Sequence, residues 1–508
     1  MTEPERKRER KRRLGRFVLL TLLVPLCAAG AIGLNLAYHI YSQNNAVAAM
    51  RFPVLAAPHA GQRFLVFAPH CDDETLGTAG LMQQAQAAGC PLHIVIFTNG
   101  DGFKASALRQ FDKLNVTPAD MVRYGTFRQG ETRTAISRLG LSPEIVTFLG
   151  YPDRGLLPMW TTNWSPQTLY RSGFTRDDHS PYPNAPTLHA PYCGQSVLND
   201  VLKQMQADQP TDIFVTHPSD DHPDHMAASA FVRTAFEWLR AANVPWAKRA
   251  HLHYYLVHRG DWPVPQDIHE DNDQYPPAPM TSLDTQWETL PLTLPQTQRK
   301  YAAIKRYDSQ TALTGRFLYS FARRSELFGT VEDGETKTLT RLPGGALPSG
   351  PEAAVWDDLP PVALDPTGDT LLRAFQSGAD ITRLTACRDD NTVAVRVMMA
   401  QSITAHTQIT LTLRPLTLHP PRPDSPQPPC LILHTVTSRE GISQPLKSVP
   451  GSTVVWRGRG VQFSLPLTAS PVYWDDPHAR LNVAAETRLG RVVIDRTGFR
   501  DVACSPPR

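Results

Sequence analysis

No two cysteines of this chain stand in a C-x-x-C spacing; Cys27, Cys71, Cys90, Cys193, Cys387, Cys430 and Cys504 are scattered over 508 residues. This excludes a thiolate zinc knuckle and a disulfide scaffold as the basis of the fold, and leaves the pairing of Cys387 with Cys430 or Cys504 open. A basic body is missing as well. The net charge of +3 arises in the first sixteen residues, which hold eight Lys or Arg and three Glu (+5), so the remainder carries 3 − 5 = −2. Nucleic acid is therefore excluded as a partner. Charge of either sign is absent from Phe17 to Ile40, a run of mostly Leu, Val, Ala, Gly and Ile. Such a run is long enough to cross the roughly 30 Å hydrocarbon layer. With the cluster Arg6 to Arg13 just ahead of it, the pattern predicts a basic cytoplasmic tail (1–16), one transmembrane helix (17–40) and a body outside the cytoplasm at the cell membrane. A cleaved signal peptide, with Ala29, Gly30 and Ala31 at its cleavage region, is the alternative, and both readings export the body.

What remains is long enough for more than one hydrophobic core. Short apolar runs at 64–68, 92–98, 145–149 and 213–216 alternate with helical patterns at 75–88, 128–139, 197–207 and 226–242. That alternation predicts a Rossmann-like, doubly wound, mostly parallel α/β domain over residues 50–328. A Gly- and Pro-rich stretch at 329–350 reads as a linker. Beyond it, alternating runs at 392–397, 407–413, 431–436 and 460–465, broken by the Pro-rich loop Pro420 to Pro429, predict an all-β sandwich over 351–508.

Chemistry concentrates in two places. Directly after the first strand stands Ala68-Pro-His-Cys-Asp-Asp-Glu74, and directly after the fourth stands Thr216-His-Pro-Ser-Asp-Asp-His-Pro-Asp-His225. Ligand sites of open α/β sheets form at these strand ends. A carboxylate in the first motif also suits the cap of the helix that follows, but solvated loops rarely gather three His and three Asp in nine positions. Together the clusters supply a His, Asp, His set to one zinc ion and leave a position open for water.

Both motifs resemble those of the PIG-L or LmbE-like de-N-acetylases, a small residue followed by H-P-D-D-E and later H-P-x-D-x-H-x-D-H. The resemblance continues through Arg128 and Glu131, Leu149-Gly-Tyr-Pro-Asp153 and Tyr255-Leu-Val-His-Arg-Gly-Asp-Trp262, and spans about residues 61–328. Cys71 stands where the family has proline. The resemblance implies zinc ligands at His70, Asp73 and His225, a general base at Asp72, and His222, as a protonated imidazole, facing the oxyanion. It places Asp224 behind a neighbouring imidazole, and Arg128 and Glu131 either on sugar hydroxyls or in a salt bridge on a helix face. His258 lies in a strand with His251 and His253, where packing is the ordinary explanation, and is the one of the three considered for the site. Trp160, Trp164, Tyr182 and Tyr192 lie in a long loop that either walls a sugar pocket or only covers the domain.

The expected activity is hydrolysis of the N-acetyl group of an N-acetylglucosamine-type sugar in an envelope glycan, glycolipid or glycoconjugate. Two alternatives stay open: another metal-dependent amidase, acting on a thiol- or antibiotic-type conjugate, and an inactive protein whose sandwich, faintly jelly-roll-like at Asp365-Pro-Thr-Gly-Asp369, contacts carbohydrate. Every metal-type motif lies ahead of the sandwich, which makes the sandwich dispensable for chemistry on this reading. For topology, a reporter fused after Arg508 is expected to be active only outside the cytoplasm; a cytoplasmic signal overturns the orientation.

Overall fold

The computed structural model describes residues 45–505 apart from 261, 282, 332–336, 345, 369–375, 419–429, 438–439 and 471–473. The predicted tail and membrane segment and the loop Pro420 to Pro429 lie outside the described residues. Among the described residues no helix is long and apolar enough to cross a membrane. The six described cysteines are all free thiols, so the pairing left open for Cys387 is not made.

Phe64–Ala68 (β1) leads into helix Asp73–Ala87 (α1) and strand Leu92–Thr98 (β2), the βαβ unit expected from the sequence. Helices Lys104–Gln110 (α2) and Pro118–Arg138 (α3) follow. The second begins ten residues ahead of the predicted start, at a capping box between Thr117 and Asp120 whose polar first turns hide its periodicity. Then come Val146–Tyr151 (β3), Leu156–Thr161 (α4), Gly194–Asp208 (α5), Asp212–Thr216 (β4), Pro223–Ala241 (α6) and His251–Tyr255 (β5). Thr285–Pro291 (β6), Leu294–Ile304 (α7), Asp308–Tyr319 (α8) and Ser325–Val331 (β7) complete this part.

The seven strands form one sheet in the order β3-β2-β1-β4-β5-β7-β6. The first five are parallel, while β7 pairs antiparallel with both β5 and β6. Because β1 is apolar throughout, alternate residues feed opposite cores: Leu65 and Phe67 join α4, α5 and α6, whereas Phe64, Val66 and Ala68 join α1, α3, α7 and α8. Strand order reverses around β1, with β2 on one side and β4 on the other, and Phe64 lies opposite Asp212. Both motifs therefore leave the sheet side by side at its carboxyl edge. Gly77 lets α1 approach that edge, since a Cβ there would lie 2.2 Å from the ring of Tyr255.

Two antiparallel sheets with one shared core make up the C-terminal part. The first holds Thr340–Arg341 (β8), Pro361–Leu364 (β9), Ile381–Arg388 (β10), Thr392–Met399 (β11), Gln444–Pro445 (β14), Thr453–Arg457 (β15) and Gly460–Pro466 (β16), in which the short β8 runs parallel to β10. The second holds Thr407–Thr417 (β12), Leu431–Val436 (β13), Ala479–Leu489 (β17), Val492–Arg496 (β18) and Arg500–Ala503 (β19). Leu416, Leu418, Ala484 and Phe499 of this part join the core formed by α4, α5 and α6. At that seam the buried Arg414 guanidinium lies 3.6 Å from the centre of the Trp164 ring, and its Nη1 donates to the Trp160 carbonyl at 2.8 Å. Trp160 Nε1 in turn donates to Asn482 Oδ1 at 3.1 Å.

One buried ion pair, between α7 and β7, ties both to α1. Lys300 Nζ lies 2.7 Å from Glu326 Oε1, and the same carboxylate accepts from the backbone of Gly80 and Leu81 at 2.7 and 2.8 Å. Removing the acid leaves a buried ammonium without its partner. Glu326→Ala is expected to cost about 3–5 kcal/mol, read as a lowered midpoint in chemical denaturation; a change below about 1 kcal/mol, the scale of an exposed pair, overturns this account.

Candidate metal centre and active site

After β1 the chain turns at Asp72, whose φ of 133° is unusual for a residue with a side chain. Its carboxylate makes no capping bond to α1, so the cap reading of this motif does not hold and the group is left facing the cleft. The Asp73 carboxylate turns back instead, and its Oδ2 accepts from His70 N at 2.9 Å. The second motif enters α6 through Pro223, with His222 as the residue before the helix.

Three side-chain atoms converge. His70 Nδ1 is 3.2 Å from Asp73 Oδ2 and 3.2 Å from His225 Nε2, and His225 Nε2 is 3.1 Å from Asp73 Oδ2. A tetrahedral zinc with bonds of about 2.0–2.1 Å holds its ligands about 3.3–3.4 Å apart, so two imidazole nitrogens and a carboxylate oxygen at these separations fit that ion. The electrostatics agree with the geometry. Against burial, Asp153, Asp224 and Asp73 raise the pKa of His70 well above its usual value, and Asp220 and Asp73 push that of His225 up to about 9. Also against burial, the same two imidazoles hold Asp73 well below the carboxylate range.

Each ligand has a partner behind it. Asp220 Oδ2 lies 3.1 Å from His225 Nδ1 and also accepts from Val257 N and His258 N, while Oδ1 accepts from His222 N. Asp224 Oδ2 lies 3.3 Å from His70 Nε2, with Asp153 Oδ1 at 3.5 Å, so the imidazole that Asp224 supports comes from the other motif. Arg128, almost fully buried, holds Asp72: its Nη2 lies 3.3 Å from Asp72 Oδ2 and donates to the Cys71 carbonyl, while Nη1 donates to Gly100 O at 3.2 Å. Burial pushes the Asp72 pKa up to about 8, with Arg128 opposing.

His70, Asp72, Asp73, Arg128, His222 and His258 all line one cleft of about 230 Å³, together with Phe103, Asp153, Arg154, Gln310, Thr314 and Phe317. His258 is thus at the site, its ring 4.9 Å from that of His225 and stacked on Phe317. Glu131 is not. It accepts from Ser309 N at 2.8 Å and so ties α3 to α8, one turn from Arg128 yet facing away from the cleft. His222 lines the cleft as well; burial and the neighbouring rings of His70, His225 and His258 hold its pKa well below the usual value, and its Nδ1 accepts from Asp224 N at 3.2 Å. Trp160, Trp164, Tyr182 and Tyr192 are buried away from the cleft, and the two tryptophans seat the C-terminal sheets. Sequence reasoning assigned no role to Asp220 or Asp153. In a run with Asp220, Asp221 and Asp224, spacing alone does not say which carboxylate stands behind a ligand.

A buried His, Asp, His set beside the carboxylate of Asp72, opening to a cleft at the switch point of the sheet, is the arrangement of a metal-dependent hydrolase. Residues 65–236 match the family described as PIG-L: GlcNAc-PI de-N-acetylase; the chain carries a PIG-L domain and is a metal-dependent deacetylase. No curated protein sequence matches the chain. Solved structures similar to it include the N,N'-diacetylchitobiose deacetylase from Pyrococcus horikoshii (16% identity, 53% of this chain and 84% of that one, TM-score 0.34). Two others are the A40926 pseudoaglycone deacetylase Dbv21 (17%, 53% and 97%, TM-score 0.32) and GalB, the 4-carboxy-2-hydroxymuconate hydratase from Pseudomonas putida KT2440 (17%, 51% and 82%, TM-score 0.31).

Because Asp220 alone stands behind His225 Nδ1 among the described ion pairs, Asp220→Asn is expected to weaken zinc binding about 10- to 100-fold, the usual cost of losing such a partner. Competition with a chromogenic chelator measures it. Unchanged affinity means that Asp220 serves only the backbone amides.

Proposed function

We propose that the protein uses zinc, held by His70, Asp73 and His225, to hydrolyse the N-acetyl group of an N-acetylglucosamine-type sugar in an envelope glycan, glycolipid or glycoconjugate, releasing acetate and a free amine. The observation that carries this reading is the triangle of donor atoms at 3.1–3.2 Å with Asp72 and His222 beside it on the cleft. The family description supports the substrate class. So does the cleft, where the rings of Phe103 and Phe317 suit a sugar face and Arg128, Arg154, Gln310 and Thr314 suit its hydroxyls.

Zinc, when bound, polarises an acyl carbonyl and acidifies water. The remaining work falls to the chain. Asp72 accepts the proton of the attacking water as the new C–O bond forms and returns it to the amine as the carbonyl re-forms and the C–N bond breaks. Asp224 N donates to His222 Nδ1 at 3.2 Å, which leaves the proton of a neutral imidazole on Nε2. That N–H is the donor for the developing oxyanion, and it needs no protonated ring. Arg128 fixes Asp72 by its charge, and Asp224 with Asp153 fixes the ring of His70. The membrane topology expected from residues 1–40 is part of the proposal, since it puts the site on the side where envelope glycans lie.

The two adjacent aspartates separate binding from chemistry. Asp73→Ala is expected to lose zinc. Asp72→Asn is expected to keep zinc near one per chain while acetate release falls by about 100- to 10,000-fold, the range of general-base catalysis. Zinc content and acetate release from chitooligosaccharide, cell-wall and glycolipid extracts test both, with a chelator as control; a metal-free or fully active Asp72→Asn protein sinks these roles, and zinc-loaded protein that releases no acetate from any of the three sinks the substrate class.

A further inference from the structure

The connection between β4 and α6 carries the second half of the site, and it is held from outside by four consecutive residues of the C-terminal sheets. Gly498 presses on Pro218 so closely that a Cβ there would lie 2.1 Å from the Pro218 carbonyl oxygen. Phe499 accepts through its carbonyl from Arg233 Nη2 of α6 at 3.0 Å. Arg500 Nη2 donates to Ser219 Oγ at 2.9 Å, and Asp501 Oδ2 lies 2.6 Å from Arg233 Nε. Ser219 is gripped on its other side too, its carbonyl accepting from Arg259 Nη1 at 2.9 Å. Both Ser219 and Arg500 are almost fully buried, and the register of Arg500 opposite Val483 of β17 fixes it to the second sheet.

The residue after Ser219 is Asp220, which lies behind His225 and accepts from His222 N, Val257 N and His258 N. A displacement of Ser219 by a few tenths of an ångström is therefore passed through one peptide unit to a zinc ligand, the oxyanion donor and His258. We propose that residues 498–501 form a clasp through which the C-terminal sheets set the metal affinity and turnover of the site, with Arg500 the positioning residue that acts through Ser219 and Asp220. The proposal rests on the zinc hydrolase reading and assigns the sheets a part in the chemistry, where the sequence makes them dispensable. The seam at Arg414 provides a contrast. That guanidinium is buried between Trp160 and Trp164 and holds the same two parts together, and its ring contacts and backbone hydrogen bonds among the described residues go to Trp160, Thr161 and Trp164 rather than to the β4–α6 connection.

The test compares the two contacts in the full chain, with zinc affinity from chelator competition, kcat and KM on an acetylated amino sugar, and thermal midpoint all measured. Arg500→Ala and Ser219→Ala are each expected to lower zinc affinity about tenfold and kcat more than KM, because each removes one half of the same hydrogen bond. The double variant is expected to be no worse than the poorer single one, and Arg500→Lys to recover part of the loss. Arg414→Met is expected to lower the midpoint and leave zinc affinity within twofold of wild type. Wild-type zinc affinity in Ser219→Ala, additive losses in the double variant, or an equal loss of affinity in Arg414→Met overturns the clasp. Should Arg500→Ala fail to fold, Ser219→Ala and Arg500→Lys decide the matter. A wild type that binds zinc and releases no acetate overturns the substrate reading alone, since the affinity comparison among variants stands without turnover.

Discussion

Three lone pairs held within 3.2 Å of one another at the buried floor of a cleft repel unless a positive charge sits among them, and the catalytic half of the molecule is organised around that constraint. Against burial, Asp220 and Asp73 push His225 up to about 9, and the two imidazoles hold the carboxylate of Asp73 low. A zinc ion satisfies the same three atoms at once. The sheet makes the arrangement possible: only neighbouring parallel strands that end at one edge place a His and an Asp after β1 within reach of a His at the start of α6.

Charge balance then extends outward in layers. Behind the ligands stand Asp220, Asp224 and Asp153, each accepting from backbone amides that fix it before it meets an imidazole. Beside them Arg128, buried and turned toward Asp72, offsets part of the burial that pushes that carboxylate up to about 8. The backbone of Asp72 at φ 133° keeps the base out of a helix cap, where it would be neutralised by amide donors. A site so tightly specified has little freedom to rearrange, and the cleft in front of it combines two aromatic rings with dispersed polar groups, which suits the proposed sugar substrate.

The C-terminal sheets meet this site from behind. Their contact is polar where it touches the β4–α6 connection and aromatic at the Arg414 seam, while Leu416, Leu418 and Phe499 merge with the core under α6. Phe52–Arg508 forms a single compact unit, consistent with a seam that shares apolar core.

The sequence by itself determined the alternation of strands and helices, the two motifs and their place at strand ends, because apolar periodicity and residue type are local properties. The resemblance of those motifs pointed to His70, Asp73 and His225 as the proposed zinc set. Only the tertiary structure decided which aspartate does what. Asp72, Asp73, Asp220 and Asp224 are the same residue type within two short runs, and their differences come from partners 37 to 154 positions away, such as Arg128 for Asp72 and His70 for Asp224. The tertiary structure likewise took Glu131 out of the site and brought His258 in, since a helix face or a strand periodicity fixes the direction of a side chain but not what the neighbouring element puts in front of it. For the same reason Trp160 and Trp164, which in sequence belong to a loop, became the seat for Arg414: burial of an aromatic surface is settled by whatever packs on it, and here that comes from about 250 residues further along the chain.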